Sequence, residues 1–210
     1  MRPRRHGSLP CGPSTSPLGN MVDLVTRLVL CVLVVAFAAS ARSASADSGD
    51  ACRAPLRRSL IDALKSAFPK FRAPLVADNF AEDIAANRKS GGTGCLGVDS
   101  GDYDGDGTKD FAVVLTGEDG DSAVVVAALQ RGKEWVLKAL VRESGRKRLY
   151  VQTVPPGHYD ATGSSEDPKE TGGLETLTCP HSGILTGTTE STGVIYCLVS
   201  GSWKEVVVAD

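Results

Sequence analysis

The chain has no apolar run long enough to cross a membrane. Its longest, Leu28 to Ala39, has twelve residues, against roughly 20 for a spanning helix. C-x-x-C and paired Cys/His spacings are missing, which argues against a zinc site. The sequence also lacks G-x-S-x-G, H-E-x-x-H and a phosphate-cradling glycine loop leading into a helix, so the common hydrolase and nucleotide signatures are absent. Beyond residue 46 only two histidines occur, His158 and His181. Each stands alone in a loop-like context and reads as a turn or surface residue. Gly120-Asp121-Ser122 matches the Gly-Asp-Ser of some esterases, but no Asp-x-x-His near the C-terminus completes a triad.

The apolar run that is present has a different meaning. Arg2, Arg4, Arg5 and Arg27 precede it, and Ala44-Ser45-Ala46 follows. A charged region, a short apolar region and a small-x-small site together read as a secretory signal peptide over 1–46. Cys31 does not mark a lipoprotein site, since cleavage there would leave Val32 to Phe37 as an apolar end. Met21 lies nearer the apolar run and is an alternative start. The expected product, 47–210, is exported to periplasm or medium and keeps no stable membrane anchor. Positive charge is then scarce. Residues 1–46 hold five of the 23 basic and one of the 25 acidic residues, leaving 18 against 24, a net of −6. No positive field favours nucleic acid or an anionic membrane.

Four cysteines remain: Cys52, Cys95, Cys179 and Cys197. An even number in an exported chain implies two disulfides. Four cysteines allow three pairings. Cys179 and Cys197 lie symmetrically about a turn near Thr188-Thr189-Glu190 and can face each other across a hairpin, which leaves Cys52 for Cys95.

Pattern changes along the chain give the fold class. Pro55 suits a helix start. Leu56, Leu60, Leu64 and Phe68 then recur every four residues until Pro69, which predicts an amphipathic helix. Asp78 suits the cap of a second helix, with Phe80 and Ile84 on one face and Ser90-Gly91-Gly92 ending it. From Cys95 the period is two. Strands are expected at Phe111–Leu115, Ala123–Leu129, Trp135–Val141, Leu149–Val154, Leu174–Thr178, Gly183–Thr186, Gly193–Val199 and Trp203–Val208, joined by short glycine-rich turns. Glu118-Asp119-Gly120-Asp121 is one such turn. Residues 155–173 read as a long mobile loop. The prediction is an α+β domain: two N-terminal helices packed on an antiparallel meander of about six to eight strands. The tyrosines and the two tryptophans read as sheet packing.

Asp102-Tyr-Asp-Gly-Asp-Gly-Thr-Lys-Asp110 carries the plainest chemistry. Calcium is a hard cation that takes 6–8 oxygen ligands. Carboxylates at alternate positions let Asp102, Asp104 and Asp106 turn inward together, and Gly105 and Gly107 permit the curl. The Thr108 carbonyl can add an oxygen, and Asp110 can close the loop directly or through water. An EF-hand fits only its first half, with Asp at positions 1, 3 and 5 and Gly at 6. Position 12 is Val113 instead of a bidentate Glu, position 8 is Lys109, and the flanks are strand-like.

The stretch Gly101–Val114 instead resembles the FG-GAP/VCBS calcium motif, D-x-D-x-D-G-x-x-D between two strands, found in integrin α-subunit propellers and in secreted bacterial proteins. The resemblance implies Asp102, Asp104, Asp106 and Asp110 as side-chain ligands of Ca2+ and Thr108 as a backbone ligand. Propeller members repeat the motif, whereas this chain holds one copy. The implied structure is a β-loop-β clip and not a full propeller. The resulting expectation is a non-enzymatic, calcium-stabilised binding or structural domain with a protein or glycan partner. A periplasmic inhibitor of an envelope or host enzyme, presenting 155–173, and a hydrolase with an unrecognised site are the alternatives.

Overall fold

The computed structural model describes residues 49–162, 174–189, 191 and 193–208. The expected signal peptide and residues 163–173 of the expected loop lie outside the described residues. The described chain is mostly antiparallel strand, with two α-helices. No helix among these residues is long and apolar enough to cross a membrane.

The first helix, α1 (Arg58–Ala67), starts later than Pro55 suggests. The Asp50 carboxylate accepts the Cys52 N–H at 2.9 Å, and its carbonyl accepts the N–H groups of Arg53 and Ala54. These bonds hold 50–54 as a separate turn. A short strand β1 (Phe71–Arg72) and a 3₁₀ turn (Val76–Asp78) follow, then helix α2 (Ala81–Lys89). Asp78 does not cap α2; Phe80 takes that position. Helix α2 ends at Ser90 with Gly91 left-handed at φ 89°, where a Cβ would be strained. None of its residues is buried; of the two helices, α1 packs its apolar side chains on the first sheet.

Nine further strands run as β2 (Val98–Gly101), β3 (Asp110–Gly117), β4 (Ala123–Arg131), β5 (Glu134–Glu143), β6 (Leu149–Val154), β7 (Gly157–Asp160), β8 (Thr176–Cys179), β9 (Gly183–Thr188) and β10 (Gly193–Val199), and a tenth, β11 (Ser202–Val208), closes the chain. They form three sheets instead of one meander. The first has the order β1-β3-β4-β5, with β2 also on β3. The second has the order β11-β10-β9-β6, and β7 pairs with β8 as a separate ribbon. Strand β7 falls inside the stretch expected to be loop.

The layers follow from which face each side chain takes. On β3 and β4, Phe111, Val113, Leu115, Val124, Val126 and Ala128 meet Leu60 and Leu64 of α1 and Leu56 just before it. Ala112, Val114, Ala123, Val125, Ala127 and Leu129 turn the other way, against Leu149, Val151, Ile184 and Tyr196 of the second sheet. All eight residues of β3 are buried. The unbroken apolar runs of β3 and β4 are therefore strands covered on both faces. The second sheet keeps period two: Val194, Tyr196 and Leu198 face the first sheet, while Ile195, Cys197 and Val199 face the β7–β8 ribbon.

Strand β5 shows why its sequence alternates imperfectly. Val125 pairs with Val141 and Val126 with Ala139, so Leu140 is a bulge residue. Trp135, Leu137 and Ala139 pack on the α1 side, but Leu140 and Val141 pack toward the second sheet. The bulge moves Val141 off the face that Trp135 predicts for it.

Both expected disulfides are present, Cys52–Cys95 with a Cα separation of 5.0 Å and Cys179–Cys197 with 5.4 Å. Two disulfides suit an oxidising, exported environment. The second pairing is right for a different reason. Cys179 lies on β8 and Cys197 on β10, so the bond ties the ribbon to the second sheet and does not cross the β9–β10 hairpin. Gly183 leaves the room for it: a Cβ there would stand 3.0 Å from Cys197 Sγ and 3.3 Å from Cys179 Sγ.

A polar network joins the 3₁₀ turn to the first sheet. Arg146 is fully buried. Its Nε donates to Thr116 Oγ1 at 3.0 Å, and its Nη1 donates to Asn79 Oδ1 and the Leu149 carbonyl, each at 3.3 Å. Burial pulls its pKa down to about 10, against the opposing charge of Asp78, so it stays protonated at neutral pH. The Thr116 hydroxyl passes the interaction on by donating to Asp78 Oδ2 at 2.8 Å. Asp78 also accepts from Arg72 at 2.6 and 2.9 Å and from the Leu75 N–H at 2.9 Å. Burial pushes the Asp78 carboxyl up, but Arg72 and the Leu75 and Thr116 donors outweigh it, and the net shift is downward. A lowered folded value stabilises the protein above the unfolded carboxyl pKa of about 3.9 and ceases to do so as pH falls through the folded value. Asp78→Asn is thus expected to cost roughly 1–3 kcal/mol at pH 7 and progressively less toward pH 3. Urea unfolding of both proteins across that range checks this; a cost independent of pH would remove the charge from the account.

Candidate metal centre

Strands β2 and β3 pair in register from Val98↔Val113 to Gly101↔Asp110. The acidic stretch is the loop that closes this hairpin. The residues just beyond β2 set its layout. Tyr103 turns inward, is fully buried, and bonds Thr153 Oγ1 through its hydroxyl at 2.9 Å. Asp102 and Asp104, on either side of it, are sent to the other face.

The chain then folds over its own carboxylates. Asp102 accepts the Gly105 N–H at 2.8 Å and the Gly107 N–H at 3.0 Å. Asp104 accepts the Asp106 N–H at 3.2 Å, and Asp106 accepts the Thr108 N–H at 2.7 Å. Gly105 and Gly107 make this possible with φ of 76° and 78°, in the left-handed region. The Thr108 N–H, its largest influence, holds the Asp106 carboxyl below the usual carboxylate range.

The curl brings one oxygen from each of Asp102, Asp104 and Asp106 within 4.8 Å of the others. Their surroundings differ. Asp106 is exposed, whereas the Asp104 side chain is 2% exposed and its Oδ2 accepts no hydrogen bond. Arg131 Nη2 lies 2.7 Å from that oxygen, an ion-pair approach without hydrogen-bond alignment, and Arg131 Nη1 lies 3.3 Å from Asp106 Oδ2.

Asp110 stands apart from the three. It is fully buried at the base of the loop. Its Oδ2 accepts the Tyr103 N–H at 3.0 Å and its Oδ1 the Gln130 N–H at 2.8 Å. Burial raises its pKa to about 6, helped by the charges of Asp104 and Asp106 and opposed by the two N–H donors. Thr108 is half-buried, with its N–H committed to Asp106.

Two contributors to the loop were not apparent from sequence. Arg131 is the last residue of β4. The β3–β4 register, Phe111↔Ala128, carries the end of β4 past the start of β3 to the loop. Reading that register forward from the hairpin turn at 118–121 would have found it. The second is the turn before β9. Ser182 donates its N–H to the Asp102 carbonyl at 3.2 Å, and the His181 ring lies against Gly105, leaving no room for a Cβ. No sequence signal joins segments so far apart.

The other predicted features lie elsewhere. His158, on β7, has Nε2 3.1 Å from Asp160 Oδ1 and Nδ1 3.1 Å from Thr178 Oγ1. The Ser122 hydroxyl donates to Asp119 within its own turn. A groove of about 910 Å³ is lined by Pro55, Asn87, Leu96, Asp99, Phe111 and Tyr150 among others, but by neither His158 nor the three converging aspartates.

No protein-family model, curated protein or solved structure matches this chain.

The two loop glycines make a controlled pair. A Cβ at Gly107 would meet nothing within 4 Å, so Gly107→Ala is expected to cost only the left-handed strain, about 1 kcal/mol. Gly105→Ala must also displace the His181 ring and is expected to cost about 1–2 kcal/mol more. Denaturant unfolding measures both; equal costs would mean that the His181 contact adds nothing.

Proposed function

We propose that this is an exported calcium-binding domain in which the ion completes the loop between β2 and β3, and that its role is binding or structural and not catalytic. One observation carries the reading. Three carboxylates converge within 4.8 Å, and one of them, Asp104, is enclosed with an oxygen that no hydrogen bond satisfies. A buried carboxylate oxygen is costly to leave unsatisfied, and the cation beside this one is the half-exposed Arg131 guanidinium, 2.7 Å away and without a hydrogen bond to it. The donor set is all oxygen, which suits calcium or magnesium and not zinc or copper. A flexible, glycine-containing loop fits the irregular shell of calcium better than the strict octahedron of magnesium.

The motif resemblance supports the same reading: it implies Asp102, Asp104, Asp106 and Asp110 as side-chain ligands and Thr108 as a backbone ligand, and the first three of these carboxylates are the ones that converge. Asp110 acts from below: its two N–H bonds fix the backbone of Tyr103 and Gln130, and so fix the loop's base and one wall. When bound, the ion would offset the mutual repulsion of the carboxylates. Tyr103, anchored in the core, then transmits the loop's rigidity to the second sheet through Thr153.

The test is thermal. A ligand that binds only the folded state stabilises by about 2.7 kcal/mol at 100 times its Kd. Calcium is expected to raise the melting temperature of the wild type and a chelator to remove the rise. Asp104→Ala should show no response to either. Equal melting temperatures for the wild type with calcium and with chelator would sink the reading.

A further inference from the structure

Arg131 is the one basic residue whose guanidinium is placed on the converging aspartates among the described ion pairs. It spans two of the three, with Nη2 2.7 Å from Asp104 Oδ2 and Nη1 3.3 Å from Asp106 Oδ2. Its backbone is not free to drift away, because the neighbouring Gln130 N–H is held by Asp110 Oδ1 at 2.8 Å. Its side chain is 49% exposed, so the guanidinium can swing into water at little cost. Asp104, at 2% exposure, has no comparable access to solvent. The enclosed carboxylate therefore depends on a cation, and the protein supplies one on a tether.

We propose that Arg131 is an internal competitor of the metal: it neutralises Asp104 and Asp106 while the loop holds no ion, and is displaced when calcium binds, so that it sets the affinity of the site. The proposal rests on the calcium reading above. A calcium ion bound to Asp104 Oδ2 at 2.3–2.6 Å would lie within about 5 Å of a guanidinium nitrogen left in its present place. Two cations at that distance repel appreciably even near a surface. Binding must then either break the Arg131 contacts or tolerate the repulsion, and both weaken it. A tethered competitor shifts the site toward the weak range of extracellular calcium modules, on the order of 10⁻⁴–10⁻³ M. Such an affinity suits a domain that meets calcium outside the cytosol.

A role in packing predicts the opposite sign. If Arg131 only holds the loop together, removing its charge weakens the loop in every state and weakens calcium binding with it. If Arg131 competes, removing its charge destabilises the ion-free protein but tightens calcium binding.

Calorimetric titration of the purified protein with calcium chloride, on wild type, Arg131→Gln and Arg131→Lys, separates the two. Arg131→Gln is expected to bind calcium about tenfold more tightly than wild type, a figure already discounted for the exposure of the guanidinium. Arg131→Lys keeps a positive charge and is expected to lie between them. In chelator, Arg131→Gln should melt below wild type, and calcium should raise its melting temperature by more. Binding by Arg131→Gln alone, with none by wild type, would support the proposal in its strongest form. Wild type binding with an equal or weaker affinity in Arg131→Gln would overturn the proposal and leave the calcium reading standing. Binding by neither protein would overturn both.

Discussion

The fold depends on one constraint: β3 and β4 must be covered on both faces. Every residue of β3 and the first seven of β4 are buried, so this hairpin has no side that tolerates water. Burial of one such side chain is worth roughly 1.5–3 kcal/mol, and the hairpin can collect that gain only between two apolar layers. Helix α1 supplies one and the second sheet the other. The remaining elements answer to this pair. The second sheet, once placed, has its own outer face, which the β7–β8 ribbon covers and Cys179–Cys197 fastens.

Polar chemistry is pushed to the ends of the hairpin because its middle is closed. At one end, Thr116 receives Arg146 and hands the interaction to Asp78. At the other, Asp110 accepts N–H bonds from Tyr103 and Gln130, where the ladder can no longer supply partners. The acidic loop lies directly beyond Asp110. Its carboxylates are close together because the strands below them are fixed, and Arg131 reaches them because β4 overruns the start of β3.

Much of this was legible in the sequence, for reasons that can be named. Helix α1 was visible because Leu60, Leu64 and Phe68 are local and periodic, although Leu56, on the same period, falls before its first turn. The acidic loop was visible because its aspartates and glycines are contiguous, and their convergence follows from short-range geometry. The even count of cysteines was legible, but the hairpin symmetry that suggested Cys179–Cys197 is not what joins them, since Cys179 lies on β8. What could not be read depended on contacts distant in sequence. The Leu140 bulge reverses the face of Val141, and a single extra residue leaves no local mark. Asp78 looked like a helix cap because only Arg72 and Leu75 among its partners are near in sequence; Thr116 is 38 residues away. Strand β7 was hidden in a polar stretch because half of it faces water and its partner β8 lies beyond residue 173. The two N–H groups that Asp110 accepts were not legible either, because one of them, Gln130, lies 20 residues away on β4.

The contact between Ser182 and Asp102 has a consequence for when the loop comes into being. During synthesis the aspartates appear some 80 residues before Ser182, and Arg131 also follows them. Until the second sheet has docked, 102–110 has only its internal N–H bonds to Asp102, Asp104 and Asp106 and lacks the Ser182 and His181 contacts. Its final shape therefore records that distant parts of the chain have met. A copy in which β9 does not dock would lose the Ser182 and His181 contacts on the loop along with its sheet.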